Sequence, residues 1–161
     1  MSQLAAGPAA RAALSKQPET DRMGSDWAAV LEGVPLFQNL SRRHLKHVAS
    51  LAHKRRYGPG TSIVRAGDSG SAFYVVLDGA VRVVPPTGRP RKLGAGDFFG
   101  EMALLDDSPR SASVIAEGEV LTMTISRSAF LKLVKHEPAL ALELLRTLAA
   151  RLRATERSSA A

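Results

Sequence analysis

The sequence predicts a mainly β fold with flanking helices: an eight-stranded antiparallel β-barrel or jelly roll, with helices before it and two helices after it. Three observations indicate this class. Between residues 53 and 126, short apolar runs alternate with turns rich in Gly, Pro and Asp. Apolar residues recur at helical spacing only before and after this region, and no long helical pattern interrupts it. Antiparallel strands joined by short turns close readily into such a barrel.

The N-terminal part predicts a leader followed by helices. Residues 1–24 are rich in Ala, Gly, Pro and Ser without apolar periodicity, so we expect a flexible leader. Ser25 or Asp26 is the candidate N-cap of a short helix that ends before Pro35. Ser41 caps a second helix over residues 42–52, because apolar residues follow it at helical spacing.

The central part predicts the strands. A loop at residues 66–70 and a turn at residues 94–97 contain glycines where a positive φ is expected. Asp78-Gly79 is a two-residue hairpin signal between two apolar runs. The clearest strands are expected at residues 62–64, 72–77, 80–84, 89–93, 112–116 and 120–125.

Two helices are predicted at the end of the chain. Ser126 caps the first, over residues 127–136, and Pro138 suits the first turn of the second. We interpret a heptad-like stripe on the second helix as cover for the barrel, and a homodimer through the same helix is the alternative. The domain is expected to span residues 25–156, before a polar tail at 157–161. The stripe consists of Ala141, Leu145, Leu148, Leu152 and Thr155.

Composition limits the classes of function. The 161 residues suffice for one domain with a core, and the absence of cysteine excludes disulfides, thiolate catalysis and cysteine zinc sites. Neither a membrane-spanning apolar run nor a signal-peptide pattern is present, so a cytoplasmic location is expected. The net charge of +7 favours anionic partners. Because the basic residues are spread along the chain, nucleic acid is not the expected partner.

Residues 98–113, with the sequence FFGEMALLDDSPRSAS, carry the most distinctive chemistry. Glu101 supplies a carboxylate that can accept a hydrogen bond from a hydroxyl, and Arg110 supplies a planar guanidinium suited to a phosphate. The amides of Met102 and Ala103 would open a short helical turn, and such a start attracts anions. A ligand with a sugar hydroxyl and a phosphate fits this set. A buried Glu–Arg pair, or two unrelated surface charges, is the structural alternative.

This segment closely resembles the phosphate-binding cassette of the cyclic-nucleotide-binding domain family, and residues 98–113 are called the cassette below. The family includes catabolite activators, regulatory subunits of cyclic-AMP-dependent kinase, and cyclic-nucleotide-gated channels. The resemblance covers roughly residues 36–155 and implies a barrel with closing helices that binds a cyclic nucleotide. Cyclic AMP is the expected ligand, and cyclic GMP is the alternative. Further matches lie in Pro35-Leu36-Phe37, Gly67-Asp68, the strand at 73–76, Gly79 and Gly96-Asp97-Phe98.

The resemblance implies how the phosphate end of the ligand would be held. Met102 and Ala103 would donate backbone N–H groups to the cyclic phosphate. Arg110 would pair with the same phosphate, helped by the hydroxyl or amide of Ser111. Asp106 and its neighbour carry negative charge near this site, but solvent would screen them on an exposed turn.

The resemblance also implies how the sugar and the base would be held. Glu101 would accept a hydrogen bond from the ribose 2′-hydroxyl, and Gly100 would let the backbone come close. Val83 and Phe99 would line the wall of the pocket. The last helix would close over the base, with Thr155 as a candidate base contact.

The expected function is that of a cyclic-nucleotide sensor without catalysis, cofactor or metal. Ligand capture would bias a two-state equilibrium in which the last helix closes. Few residues follow that helix, and no kinase, channel or DNA-binding domain is recognised. The domain is therefore expected to act on a separate effector protein or to buffer the nucleotide. The alternative is a degenerate barrel that docks nucleic acid or an acidic protein without a nucleotide.

Two other groups of residues receive structural interpretations. His44 and His47 share a helix face near His53, but no acidic residue lies at matching spacing, so no metal site is expected. The basic residues within 42–46 and 54–56 are interpreted as a solvated face.

Overall fold

A computed structural model of the chain describes residues 20–160. The helices are α1 (Ala28–Leu31), α2 (Arg42–Leu51), α3 (Glu101–Leu105), α4 (Arg127–His136) and α5 (Pro138–Ala160). Short 3₁₀ turns are present at Ser25–Trp27 and Pro35–Phe37. The strands of this range are β1 (Thr20–Arg22), β2 (Ala52–Tyr57), β3 (Ser62–Val64), β4 (Ala72–Val84), β5 (Arg91–Leu93), β6 (Phe98–Phe99) and β7 (Ser113–Ser126).

The strands form one antiparallel sheet built around β4 and β7. Along its main path the strand order is β1-β2-β7-β4-β5, while β3 pairs with β7 and β6 pairs with β4. The mainly β class with flanking helices is confirmed. The closed eight-stranded barrel is not confirmed, because the path of the sheet is open and residues 20–160 contain seven strands.

Two expected turns lie inside continuous strands. The predicted hairpin at Asp78-Gly79 is wrong, because β4 continues through it and both halves of β4 pair with β7. Gly79 has a φ of +87° at a shift in the pairing register, where a Cβ atom would lie 2.4 Å from the carbonyl oxygen of Glu119. Glycine therefore serves a bulge rather than a hairpin. The predicted strands at 112–116 and 120–125 likewise merge into β7.

The described chain begins with a strand that falls inside the predicted leader. Thr20–Arg22 pairs with β2, and the amide of Met23 donates to the carbonyl oxygen of Ala52 at 3.0 Å. The Met23 side chain is buried. Backbone pairing therefore already holds the chain at residues 20–23, while the boundary of the domain stays a prediction. Residues 1–19 of the predicted leader lie outside the described residues.

β4 separates two hydrophobic cores, because successive side chains of a strand point to opposite faces. Phe73 and Val75 join the core formed with the helices, where Phe73 stacks on Phe130 with 4.5 Å between ring centroids. Tyr74 and Val76 join a smaller core on the other face. Burial on both faces explains the continuous apolar run in this strand. The smaller core continues into the cavity beside α3.

The caps of α2 and α4 are those that the sequence predicts. The Ser41 hydroxyl accepts a hydrogen bond from the His44 amide at 3.2 Å, and the Ser126 hydroxyl accepts one from the Ala129 amide at 3.3 Å. α4 has the predicted bounds, whereas α5 continues to Ala160 and includes the described part of the predicted polar tail. No helix within residues 20–160 is long and apolar enough to cross a membrane.

The heptad-like stripe of α5 contributes only partly to the core. Leu145 and Leu152 are 62% and 60% exposed, so their interpretation as barrel cover is wrong. Leu140 and Leu144, which flank the stripe, are buried, and Leu148 packs against the same core. The buried face of α5 is thus rotated away from the stripe, because residues four apart share one side of a helix.

Candidate functional site

The cassette begins on a strand that β4 holds in place. β6 pairs with β4 in the register Tyr74↔Phe99 and Val75↔Phe98. The rings of Tyr74 and Phe99 lie nearly parallel, with 4.8 Å between centroids. Both rings are buried, so the start of the cassette is fixed by packing as well as by backbone pairing.

Gly100 turns the chain from β6 into α3. Its φ of +92° is in the left-handed region that side chains other than glycine rarely adopt. A Cβ atom on Gly100 would lie 2.8 Å from Nη1 of Arg110 and 3.1 Å from the carbonyl oxygen of Ala72. The position therefore requires glycine for two reasons, backbone conformation and space.

The short helix α3 presents a carboxylate and backbone amides to the cavity. Glu101 and Ala103 are buried, while the Met102 side chain is 52% exposed. The N-cap residue is Gly100, so no side chain caps the first amides of α3. Because the first N–H groups of a helix have no partner within the helix, they are available to an acceptor from outside.

Arg110 is buried beneath α3 and fixed by two backbone carbonyls. Its Nη1 donates to Gly100 and its Nη2 donates to Ala72, both at 2.8 Å. The guanidinium carbon lies 5.9 Å from the centroid of the Tyr74 ring. Burial lowers the pKa of Arg110, and the charges of Tyr74 and Glu101 oppose that shift. The two hydrogen bonds use two of the five N–H groups of the guanidinium.

The loop before β4 fixes the backbone of Arg110. The amide of Gly67 donates to the carbonyl oxygen of Arg110 at 2.9 Å. The amide of Arg110 donates to the carbonyl oxygen of Asp68 at 2.8 Å. A Cβ atom on Gly70 would lie only 2.7 Å from Cβ of Ala103, so this glycine lets the loop and α3 approach each other. The sequence indicated a glycine loop here but did not indicate its contact with the cassette.

Arg151 on α5 contacts the cassette, although no local sequence pattern marks it as a site residue. Its Nη2 donates to the carbonyl oxygen of Phe98 at 2.8 Å, and its guanidinium carbon lies 4.5 Å from the Phe98 ring centroid. Its Nη1 lies 3.5 Å from Oε1 of Glu101. Burial lowers the pKa of Arg151, and Glu101 opposes that shift.

The Glu101–Arg151 contact is an ion pair without a well-formed hydrogen bond. Within residues 20–160, Oε1 of Glu101 has no hydrogen-bond partner although the side chain is buried. The 3.5 Å separation lets the two charges attract each other but is longer than a good hydrogen bond. A buried carboxylate oxygen thus remains available to a hydroxyl donor.

All eight predicted ligand-binding residues line one cavity of about 60 Å³. Its lining also includes Arg91, Val64, Ala112 and Val114. The structure therefore brings the predicted residues together, and their roles toward a ligand stay predictions. The eight are Val83, Phe99, Gly100, Glu101, Met102, Ala103, Arg110 and Ser111.

Other predicted contacts differ from expectation. Thr155 is not part of the cavity lining, and its hydroxyl donates to the carbonyl oxygen of Arg151 at 3.1 Å. Asp107 has a positive φ of 58° and forms an ion pair with Arg127 of α4 at 2.7 Å. Hydrogen bonds from Ser108 lower the pKa of the exposed Asp106. The two acids are thus exposed, and Asp107 links the cassette to α4.

Some histidine and basic residues of α2 and β2 also make contacts that the sequence did not predict. Nδ1 of His44 lies 3.2 Å from Oε1 of Glu137, an acidic residue too distant in sequence to be recognised as a partner. No group of three or more acidic or histidine side chains within residues 20–160 is placed to hold a metal ion. Lys54 is buried with its ammonium 5.1 Å from the Trp27 ring centroid. The interpretation of residues 54–56 as a solvated face is therefore wrong for Lys54.

The fold and the cavity define a small-ligand domain with a glycine-led helical turn, a buried carboxylate and a buried guanidinium. Comparison with known families agrees with this class. The family model described as "Cyclic nucleotide-binding domain" matches residues 54–137, just over half of the chain. The chain belongs to the cyclic nucleotide-binding domain family.

Similar proteins include regulators of two kinds. A cAMP-dependent protein kinase regulatory subunit of Colletotrichum orbiculare is 36% identical over 106 residues, which cover 65% of this chain and 27% of that protein. The cyclic AMP receptor protein of Thermus thermophilus is 37% identical over 128 residues, covering 76% of this chain and 59% of that protein. The chain thus matches about a quarter to three fifths of the length of these relatives.

A solved structure shows the same fold. The regulatory domain of Toxoplasma gondii PKA, crystallised with cAMP, is 29% identical and superimposes with a TM-score of 0.69. The match covers 79% of this chain and 49% of that one. The described fold is therefore similar to that of a solved regulatory domain.

Proposed function

We propose that this chain binds a cyclic nucleotide in the cassette cavity, with cyclic AMP as the principal ligand, and acts as a non-catalytic sensor. One observation carries the proposal: a buried carboxylate oxygen of Glu101 without a hydrogen-bond partner among residues 20–160 lines the same cavity as the guanidinium of Arg110. The names of the relatives, a cyclic AMP receptor protein and a cAMP-dependent kinase regulatory subunit, support the choice of ligand.

The ribose would be bound by the Glu101 carboxylate, and the phosphate by the Arg110 guanidinium and backbone amides. Oε1 of Glu101 accepts the ribose 2′-hydroxyl, which satisfies a buried acceptor. The phosphate receives hydrogen bonds from the amides of Met102 and Ala103 at the start of α3. Arg110 contributes N–H groups beyond the two that bind Gly100 and Ala72, so phosphate binding leaves the fixed position of the guanidinium intact.

The remaining cavity residues provide shape. Val83 and Phe99 are buried and form apolar walls, while Ser111 is exposed and offers a hydroxyl to the phosphate. The cavity volume of about 60 Å³ is well below the 300–1,000 Å³ that is usual for small-ligand sites. A cavity of this size cannot enclose a whole nucleotide, so binding requires that the cassette open outward or that α5 cover the base.

Closure of α5 is the conformational part of the proposal. Glu137 lies between α4 and α5 with φ −121° and ψ 87°, outside the helical region, so the two helices can rotate there. Arg151 joins α5 to Glu101 and Phe98. A nucleotide that binds Glu101 and contacts α5 favours the state in which the helix is docked.

The signal would pass to a separate effector protein in the cytoplasm. The exposed Leu145 and Leu152 on α5 lie seven residues apart, a spacing suited to a helix–helix contact with an effector or a second copy. Because docking of α5 depends on the cassette, ligand binding would change how this face is presented.

Calorimetric titration of the full chain with cyclic AMP and with cyclic GMP tests the proposal. We expect one site per chain and micromolar or tighter affinity for cyclic AMP, which corresponds to about −8 kcal/mol. No heat with either nucleotide, at protein concentrations of tens of micromolar, would refute the sensor function and favour an interaction module without nucleotide.

Arg110→Ala tests the phosphate assignment. We expect a loss of more than about 2 kcal/mol in cyclic AMP binding, because the guanidinium supplies charge-assisted hydrogen bonds that alanine lacks. Arg110→Lys should restore only part of the affinity, because an ammonium cannot reproduce the planar fork. A thermal melt of each variant separates loss of binding from loss of the contacts to Gly100 and Ala72. Unchanged affinity in a folded Arg110→Ala variant would refute the assignment.

A further inference from the structure

A second and larger cavity lies between α2, the start of β2 and α4. Its volume is about 470 Å³, within the range of small-molecule binding sites. It shares no lining residue with the cassette cavity. We call it the α2–α4 groove and define it by the side chains of His47, Leu51, His53, Lys132, Leu133 and His136.

The rim of the α2–α4 groove is basic. Four exposed nitrogen donors from three elements surround it: His47, His53, Lys132 and His136. Lysine carries a full charge, and an imidazole donates a hydrogen bond in either protonation state. The carboxylate of the lining, Glu137, is buried and lies 3.2 Å from Nδ1 of His44, so it is already partnered. The rim therefore favours an anionic group.

The floor of the α2–α4 groove is apolar. It is lined by Leu51, Ala129 and Leu133, of which Ala129 and Leu133 belong to α4. The hydroxyl of Ser128 adds a polar atom at one end. An apolar floor beneath basic donors suits a molecule that has both a hydrophobic part and a negative charge.

We propose that the α2–α4 groove is a second ligand site, for a small amphipathic anion with an apolar body and one carboxylate or phosphate group. The body lies on Leu51 and Leu133, and the anionic group receives hydrogen bonds from Lys132 and the rim histidines. The site is separate from the cassette cavity, because the two share no lining residue.

The test uses 8-anilinonaphthalene-1-sulfonate, a fluorescent amphipathic anion, titrated into the full chain under native conditions. We expect saturable binding of one molecule. Lys132→Gln should raise the dissociation constant at least tenfold, because it removes a charge-assisted hydrogen bond. Lys135→Gln is the matched control: it removes the same charge from an exposed position of α4 outside the groove and should leave binding unchanged.

Two further measurements make the outcome specific. Amide chemical shifts of Leu51, Ala129 and Leu133 should move on titration, while those of the cassette should not. Octanoate and phenyl phosphate, added as competitors, identify whether a carboxylate or a phosphate binds better. Equal binding by wild type and Lys132→Gln, or displacement of the dye by cyclic AMP, would overturn the proposal. Lys132→Glu, a charge reversal on an exposed side chain, repeats the test without disturbing the core.

Discussion

Removal of the Arg151 side chain should release α5 from the cassette. Arg151 makes one hydrogen bond to the carbonyl oxygen of Phe98, one ion pair with Glu101 and one contact with the Phe98 ring. A hydrogen bond from a charged group contributes about 1.5–3 kcal/mol, and a cation–π contact about 0.5–2 kcal/mol. The side chain is 20% exposed, and the contacts share one guanidinium, so they do not add fully.

We therefore expect Arg151→Ala to weaken the docking of α5 by about 2–3 kcal/mol, a factor of about 30 to 150. Hydrogen–deuterium exchange measures this directly, as faster exchange of amides in the second half of α5. Affinity for cyclic AMP should fall in the same variant, because part of the population no longer has the docked helix. The matched control is Arg153→Ala, which removes an exposed arginine from the same helix.

The result that would refute this reasoning is equal exchange in wild type and Arg151→Ala, or equal acceleration by Arg153→Ala. Either outcome would mean that Arg151 does not hold the helix. Combination with Glu101→Gln isolates the ion pair: if Glu101 and Arg151 interact, the two substitutions together should cost less than the sum of their separate effects.

Three other substitutions have defined outcomes. Gly100→Ala should reduce cyclic AMP affinity at least tenfold by calorimetry, because its Cβ would lie 2.8 Å from Nη1 of Arg110 at a φ of +92°; unchanged binding would contradict the site geometry. Arg91→Ala should weaken the binding of cyclic GMP more than that of cyclic AMP, because guanine offers two acceptors to a guanidinium where adenine offers one acceptor and one donor. Equal losses of affinity would mean that Arg91 does not contact the base. Ser108→Ala should raise the pKa of Asp106 toward 3.8 in an NMR titration, because the hydrogen bond from the Ser108 hydroxyl that lowers this pKa is lost. The stabilisation from that hydrogen bond is present above pH 3.8 and disappears as the pH falls through the lowered pKa. An Asp106 pKa unaffected by the substitution would contradict this prediction.

The parts of the site that the sequence predicted depend on local geometry. Gly100, Glu101 and Arg110 lie within eleven consecutive residues, where a glycine-led turn and a short helix leave few possible arrangements. The caps at Ser41 and Ser126 were predictable for the same reason, because a cap acts on an amide three residues later.

The features that the sequence did not predict depend on partners that are distant along the chain. Arg151 meets Phe98 across more than fifty residues, and Lys54 is buried against Trp27, although each looks like an ordinary surface cation in the sequence. Gly79 was misread because a positive φ serves a hairpin turn and a strand bulge equally well. Which of the two it forms is decided by β7, whose backbone passes close to Gly79.

The long pairing of β4 with β7 has a consequence for the order of folding. Ala72 pairs with Ser126 and Val84 pairs with Ser113, so the cassette as far as Ala112 lies in the loop that this pairing closes. Pairing of strands far apart in sequence carries a loop-closure entropy that slows folding. The cassette cavity can form only after that closure. A ligand bound there would then slow unfolding much more than it speeds folding.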